Sequence, residues 1–416
     1  MNAVVNEEVK RNSRWPSLHP YPRSWYAVAF ADELVAGEVL NRRYFGQELV
    51  IYRTESGKAV MINAHCPHMG AHFGHGGAKI VGESIKCPFH GWEFGSTGDC
   101  TLMPYGEKQP KRAVTSPWLL REVNGMIMTW YDAEGGEPFF EIPEHDYSGY
   151  YGPKQWDVEF KSHPQEVYEN GVDIMHFHYI HRVGALEIHE CEINDAHFRL
   201  TMSSNQDQLV ESERFTEGEV PNIHFNDQMY GLGMGYTYAW TVGMDEKFWF
   251  SMYVTPIDEE AVHVRQYNMR EDCGDDDMNE MLTTAFHEVA GEQITGDIPI
   301  WENKIFQKNP SLNEKDRQFA DYRRWCKQFY YDDAAELARR EGTKLYYANE
   351  SLAAAQAEAQ ETDAREGQLT EEEKKERQEM LDLATVSVKK IKEVQGGETK
   401  DLDDAVSAVN REVEKS

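Results

Sequence analysis

Two short loops constrain this chain more than anything else in it: Cys66-Pro67-His68 and, after eighteen further residues, Cys87-Pro88-Phe89-His90-Gly91-Trp92. Thiolate and imidazole side chains are ligands of zinc and of iron–sulfur clusters. The pairing separates the two. A structural zinc finger usually sets its cysteines together and its histidines together, whereas here each loop supplies one of each. That distribution suits a two-iron cluster in which one iron takes both thiolates and the other both imidazoles. Imidazoles leave such a cluster less negative than four thiolates would, which raises its potential to where an ordinary ferredoxin can reduce it. His72 and His75, between the loops, read as ordinary loop histidines.

A second set of metal-capable side chains follows at Glu169-Asn170-Gly171-Val172-Asp173-Ile174-Met175-His176-Phe177-His178-Tyr179-Ile180-His181. A mononuclear non-haem iron that activates O2 takes two histidines and one carboxylate on one face and leaves positions open. On a regular helix of about 100° per residue, positions 176 and 181 point about 140° apart. They converge only if the helix loosens or ends between them. His178 and His181 stand at i and i+3 and share a face without such a break. Spacing alone leaves the choice open.

Around these loops the chain changes character by region. From Trp25 to about Asp132 it reads as short strands such as YAVAF, ELVIYRT and KAVMINAHC, broken by turn residues. Further on, HFRLTMSS, GYTYAWTVG, KFWFSMYVTPI and AVHVRQYNMR alternate like strands of an antiparallel sheet. Residues 278–295 return to helical period, with Met278, Met281, Leu282, Ala285, Phe286 and Val289 on one stripe expected to pack on that sheet. The fold class expected is α+β. Residues 349–416, rich in Ala, Glu and Lys, read as a charged helical appendage. GLGMG at 231–235 has strand-like neighbours and no following helix, so it reads as a sheet edge or bulge and not as a nucleotide loop.

The loops C-P-H and C-P-F-H-G-W, with AHFGHGG between them and GDCTLMPYG after, resemble those of Rieske oxygenases. The segment from Asn170 resembles the N-x2-D-x2-H-x4-H motif of the same family. The resemblance runs from about residue 15 to 345, and the stretch from GDIPIW to RRWCKQFY is most like 3-ketosteroid 9α-hydroxylase oxygenase components and the cholesterol 7-desaturase group. It implies a [2Fe–2S] cluster on Cys66, His68, Cys87 and His90 and one mononuclear iron on His176 and His181. The D-x2-I-W element places the third ligand at Asp297, just past the expected helix, ahead of Glu292 and Glu302. It makes Asp173, with Asn170 beside it, a bridge that hydrogen-bonds His176 and carries the electron from a Rieske histidine, His90, of the next subunit in a homotrimer.

The domains then expected are an N-terminal arm (1–24), an all-β Rieske domain (25–135), a helix-grip-like catalytic domain (136–348) and the tail (349–416). The activity implied is that of a terminal oxygenase, oxidising a C–H bond of a hydrophobic polycyclic substrate such as a steroid or sterol with O2. The alternatives are a quaternary amine, alkaloid or aromatic substrate, or an electron carrier without oxygenase chemistry. Met229, Tyr230, Met234, Tyr236, Trp240 and Trp249 are candidates to line its pocket. No flavin or nicotinamide unit is evident, so NAD(P)H acts indirectly, through a ferredoxin, a reductase or both; the basic run Lys108, Lys111 and Arg112 is a candidate docking point.

Composition narrows the partners. With 42 basic against 73 acidic residues the net charge is −31, which argues against nucleic acid or an anionic membrane. No apolar run approaches the roughly 20 residues of a membrane span. Six scattered cysteines in 416 residues fit a reducing compartment, the cytoplasm.

Overall fold

Aromatic and β-branched residues in short runs closed by glycine turns cut most of the chain from Ser24 to Glu271 into strands. A computed structural model describes Trp15 and residues 18–106, 108–181, 186–204, 223–241, 247–313 and 316–331. Most of the expected N-terminal arm and the whole of the expected helical tail, 349–416, lie outside the described residues.

The first strands are β1 (Ser24–Phe30), β2 (Val39–Tyr44), β3 (Gln47–Arg53), β4 (Ala59–Asn63), β5 (Lys79–Val81), β6 (Ser84–Lys86), β7 (Glu93–Phe94), β8 (Cys100–Leu102), β9 (Leu120–Val123) and β10 (Met126–Tyr131). They form three small sheets, ordered β1-β10-β9, β2-β3-β4 and β5-β6-β7-β8. The strands β11 (Tyr150–Lys161), β12 (Leu186–Asn194), β13 (His197–Ser204), β14 (Ile223–Tyr230), β15 (Met234–Thr241), β16 (Lys247–Pro256) and β17 (Ala261–Glu271) form one antiparallel sheet, ordered β11-β17-β16-β15-β14-β13-β12. Helices α1 (Pro164–Glu169) and α2 (Ile174–Tyr179) interrupt it after β11, and α3 (Asp276–Trp301) and α4 (Arg317–Cys326) follow it. This is the α+β architecture expected. GLGMG is the hairpin turn between β14 and β15, where a Cβ on Gly233 would lie 2.0 Å from the Trp25 carbonyl oxygen of β1.

Because successive side chains alternate across a strand, register decides which residues the two faces of the large sheet present. Phe198, Leu200, Met202, Phe225, Met229, Phe250, Met252, Val262 and Val264 face the helices and share one core with Val172, Phe177, Ile294 and Trp301. Tyr230, Met234, Tyr236, Trp240 and Trp249 fall on the opposite face. There Met234, Tyr236, Tyr230 and Trp249 pack with Trp25, Met128 and Trp130 of β1 and β10. Of the six pocket candidates only Met229 therefore points toward the helices. The other five were placed by their chemistry without the strand's parity.

A similar correction applies to α3. Its N-terminus is set by Asp275, whose Oδ1 accepts the Met278 N–H at 2.9 Å, with Asp276 and Asp277 complementing the helix dipole. The buried face, however, is Asn279, Thr283, Ala290, Ile294, Asp297 and Trp301, while Met278, Met281 and Val289 are about half exposed. Apolar residues occur on two faces of this helix. Packing selects the one that presents Asp297 and stacks Trp301 on Phe160, ring centroids 5.2 Å apart. The helix also continues through Pro299 to Trp301, so Asp297 lies inside it and not beyond its end.

A buried network joins the large sheet to the smaller ones. Arg265 donates to the carbonyl oxygens of Ala27 (3.1 Å) and Val28 (3.3 Å) and to the Tyr44 hydroxyl (2.6 Å). Tyr44 lies 3.0 Å from His263 Nδ1, and His263 Nε2 lies 2.8 Å from Asp157 Oδ2. With the Tyr44 hydroxyl donating to Nδ1, the ring is neutral and Nε2–H donates to Asp157. His163 is held in the same form: Nδ1 accepts the Gln165 N–H at the start of α1 and Nε2–H donates to the His19 carbonyl. Burial, joined at His263 by Arg265, lowers both rings to about 4. Unfolded, each takes up its proton near pH 6.5. Protons then favour the unfolded chain, so stability is full above about pH 6.5 and falls as the pH drops toward 4, by on the order of 1 kcal/mol per pH unit for each ring. Thermal melts across this window should show that decline, shallower in His263→Gln; equal slopes would contradict the account.

Candidate metal centres

The two Cys/His loops are the same loop built twice. The Cys66 N–H donates to the Ala71 carbonyl at 2.8 Å, and the Gly70 N–H returns to the Cys66 carbonyl at 2.9 Å. In the second loop the Cys87 N–H donates to the Trp92 carbonyl at 2.8 Å, and the Gly91 N–H to the Cys87 carbonyl at 3.0 Å. Each turn closes through a glycine at positive φ, 75° at Gly70 and 72° at Gly91, where a side chain would be strained. The histidine stands two residues after its cysteine in one loop and three in the other, so this repeat is hard to see in the spacing.

The donors of the two loops meet in like pairs, thiol beside thiol and imidazole beside imidazole. Cys66 and Cys87 are 2% and 3% exposed and close enough for their thiols to hydrogen-bond. Burial pushes the Cys66 thiol up to about 11. The His68 and His90 rings lie 4.7 Å apart, and His68 stacks on Trp92 at 4.3 Å. His90 Nδ1 is sealed from solvent without a hydrogen-bond partner. Two adjoining buried thiols, two adjoining imidazoles and a buried ring nitrogen without a partner suit a cluster that takes thiolate on one iron and imidazole on the other. The His72 and His75 rings lie 4.5 Å apart, tilted by 43°, in the intervening loop, and His72 Nδ1 accepts the Gly74 N–H.

At the second centre the backbone resolves the choice that spacing left open. α2 ends at Tyr179, and the Ile180 N–H closes the last turn on the His176 carbonyl at 2.8 Å. His181 therefore falls outside the helix and swings back, bringing its ring centroid to 4.9 Å from that of His176. Asp297, from α3, completes the group: its Oδ2 is 3.2 Å from His181 Nε2 and 4.0 Å from His176 Nε2. One donor atom from each of the three residues lies within 4.8 Å of the others. Asp297 is 5% exposed. A buried carboxylate facing two imidazoles, with burial holding His176 below its ordinary value and hence neutral, suits a divalent metal. Glu292 is exposed, and Glu302 Oε1 instead accepts the Lys161 N–H of β11. His178 points elsewhere, its ring 4.9 Å from Tyr179.

Asp173 meets His176 differently from the expectation. The carboxylate Oδ1 caps α2, accepting the N–H groups of Met175 (3.2 Å) and His176 (3.1 Å). The bond to the His176 ring comes from the Asp173 main-chain carbonyl, which accepts from Nδ1 and turns Nε2 toward Asp297. Asn170 ends α1, and its carbonyl accepts the Asp173 N–H at 3.1 Å.

Sequence reasoning missed what surrounds Asp173. It lines a cleft of about 260 Å³ with Glu166, Glu169, Lys304, Arg323 and others. Arg323 grips Glu169 by two bonds of 2.6 Å, and Lys304 Nζ lies 2.9 Å from the buried Glu166 carboxylate. Burial pushes the Glu166 carboxyl up against the pull of Lys304. Only the i, i+3 spacing of two glutamates on α1 hinted at the pairs, since their cations come from the far end of the chain.

Residues 129–330 match the 3-ketosteroid 9α-hydroxylase C-terminal domain family, and residues 24–117 match the Rieske [2Fe–2S] domain. The cholesterol 7-desaturase nvd of Bombyx mori is 30% identical over 329 residues, 75% of this chain and 70% of that one. This chain belongs to the Rieske non-haem iron oxygenases. The oxygenase component of the 3-ketosteroid-9-alpha-monooxygenase of Rhodococcus rhodochrous is 26% identical over 340 residues, 79% of this chain and 89% of the other. Among solved structures, dicamba monooxygenase bound to dicamba superposes with a TM-score of 0.60 at 19% identity, covering 76% of this chain and 98% of that one. NdmA of Pseudomonas putida CBB5 with caffeine also gives 0.60 at 19%, covering 73% and 89%. These two share the fold. As a Rieske oxygenase the chain is an oxidoreductase with a [2Fe–2S] cluster and a mononuclear iron, and it draws on NAD(P)H through separate electron-transfer partners. Among the described residues no helix is long and apolar enough to cross a membrane.

The Arg323–Glu169 pair yields a stability prediction. Arg323→Leu leaves a carboxylate that is 4% exposed without its partner, at a cost of about 3–5 kcal/mol in chemical denaturation. Adding Glu169→Gln should recover most of the loss.

Proposed function

We propose that Cys66, His68, Cys87 and His90 hold the cluster, that His176, His181 and Asp297 hold the iron, and that the protein is the terminal oxygenase for a hydrophobic polycyclic substrate of the steroid or sterol class. The observation that carries the iron assignment is the convergence of three donors from two separate segments within 4.8 Å. Bound there and reduced through the cluster, the iron supplies activation of O2 for attack on a substrate C–H bond. The protein's part is orientation and exclusion. The Asp173 carbonyl fixes the His176 tautomer so that Nε2 faces the metal position. Asp297 is kept dry by the packing of α3, and Phe177 lies beside both histidine rings, 4.2 Å from His176 and 5.7 Å from His181. The apolar inner face of the large sheet backs the segment that bears His176 and His181, so a fused-ring substrate reaching the iron meets apolar walls. The two relatives' names, a cholesterol desaturase and a ketosteroid monooxygenase, support that class. The outcome is hydroxylation, desaturation or oxidative demethylation.

The electron path crosses between subunits. Met69 and Phe89, 68% and 62% exposed, form an apolar tip beside the cluster ligands. The open cleft at Asp173, with Asn170 next to it in the chain, offers that tip a seat on a neighbouring chain. Repeated head to tail, this contact closes as a homotrimer. A ferredoxin or its reductase delivers the electrons, with Lys108, Lys111 and Arg112, all exposed, as its contact. Six free cysteines fit a cytoplasmic setting.

The test is a reconstituted system of oxygenase, reductase and NADH, incubated with sterols, ketosteroids and quaternary amines, with products read by mass spectrometry. Sterol or ketosteroid oxidation is expected; oxidation of the amines alone would replace the substrate class. His181→Ala and Asp297→Ala should each lower iron from about three to about two per chain while the visible Rieske spectrum persists. In Asp173→Ala, iron and spectrum should remain and product formation should fall by about a hundredfold or more. Full turnover in that variant would rule out the bridge.

A further inference from the structure

The inner face of the large sheet carries one acidic side chain where its neighbours are apolar. Along β14, Phe225, Asp227 and Met229 alternate onto the face toward the helices. Phe225 lies 6.4 Å, ring to ring, from Phe177, which itself packs beside His176 and His181. Met229 reaches the other end of the same segment, its Cε 2.5 Å from where a Cβ on Gly171 would stand. Asp227 sits between these two contacts, directed at the segment that bears the iron histidines. Across the strand pair it stands opposite Thr237 of β15, whose hydroxyl donates to it. Its Oδ1 is sealed from solvent and has no hydrogen-bond partner. Burial raises the carboxyl to about 7.

A dry carboxylate oxygen with nothing to bond costs stability, so such atoms persist in native structures where water or a ligand satisfies them. Asp227 has company on this wall. Continuing its register row across Thr237 and Phe250 leads to Asn268 of β17, which is fully buried, bonds His287 of α3 through Nδ2 and leaves Oδ1 open. Beside it, neither end of the Gln266 amide has a partner, and neither does the Thr283 hydroxyl of α3. A sheet face built only as core would not collect these groups. An interior that receives a largely apolar molecule with a polar end would.

We propose that Asp227, supported by the Thr237 hydroxyl, recognises a hydroxyl group on the substrate of this oxygenase. The chemistry favours an alcohol. A half-buried carboxyl of raised pKa accepts a hydrogen bond from the hydroxyl when ionised and donates one to its oxygen when neutral, so an alcohol is bound in either state. A ketone is served by the neutral acid alone, and a hydrocarbon strands Oδ1. The inference rests on the reading that a fused-ring apolar molecule is oxidised at the iron, and it adds which substituent the protein reads and with which side chain. In the sequence, the sign was a lone acid amid aromatic and aliphatic residues at the inward parity of IHFNDQMY.

The test is equilibrium dialysis of the iron-loaded holoenzyme with three probes of one skeleton: cholesterol, its 3-ketone and its 3-deoxy hydrocarbon. Wild type should bind the alcohol about tenfold or more tighter than the hydrocarbon, with the ketone between. Asp227→Leu should bring the alcohol-to-hydrocarbon ratio to about one, and Asp227→Asn, which still accepts a hydrogen bond, should retain most of it. Iron content and the visible cluster spectrum serve as folding controls. Should the leucine variant fail them, Asp227→Ala and Thr237→Val carry the test, each with a reduced ratio. An undiminished ratio in every variant that passes the controls overturns the proposal, as does a wild type that binds and oxidises all three equally; in both cases the substrate class stands. Failure of wild type to bind any of the three overturns the substrate class as well.

Discussion

Asp297 is a carboxylate removed from water and set against two imidazoles, and much of the surrounding structure exists to make that arrangement tenable. A buried charge with no partner costs several kcal/mol, so the site is poised for a cation. To bring the three donors together, α2 must stop after Tyr179 so that His181 can return toward His176. α3 must run past Thr295 and turn its polar face inward. Trp301, stacked on Phe160 one turn beyond Asp297, pins the far end of that helix to β11. The exposed methionines of α3 follow from the same choice of face.

The cluster centre meets a similar demand by local means. Its loops repeat one set of backbone hydrogen bonds, so the two cysteines are presented by equivalent turns and a shared glycine conformation. Little long-range packing is needed to bring the ligands into position. The cost appears at the surface, where Met69 and Phe89 stay exposed beside the ligands and invite a partner. The Arg265–Tyr44–His263–Asp157 network ties the large sheet to the β2-β3-β4 sheet, from whose last strand the first loop follows.

The candidate metal donors come from helical segments and the turn after one of them, His176 from α2, His181 from just beyond it and Asp297 from within α3. The polar groups open toward the interior come from β14, β17 and the buried face of α3, where register holds them rigidly. The Glu166–Lys304 and Glu169–Arg323 pairs hold α1 against the segments that follow α3, and so steady the cleft on which Asp173 opens.

The candidate cluster ligands and the short segment holding the candidate iron histidines were legible in the sequence, because metal-binding loops are short and their donors lie within a few residues of one another; which two of the three histidines pair was not legible from spacing. The strand-rich character of both domains was legible for the same reason, since a two-residue period is local. The side of the sheet on which Tyr236 or Trp249 lies was not, because apolar residues on both faces give alternation no sign until the neighbouring strands are paired. Nor was the inward face of α3, where a helix with apolar residues on two sides is oriented by what it packs against. The bond from His176 to the Asp173 carbonyl, the ion pairs flanking Asp173 and the isolation of Asp227 all join residues whose partnership depends on folded geometry. The sequence by itself determined which atoms were available to bind metal; only the tertiary structure decided which of them meet, because convergence of distant side chains is a property of packing and register and not of spacing.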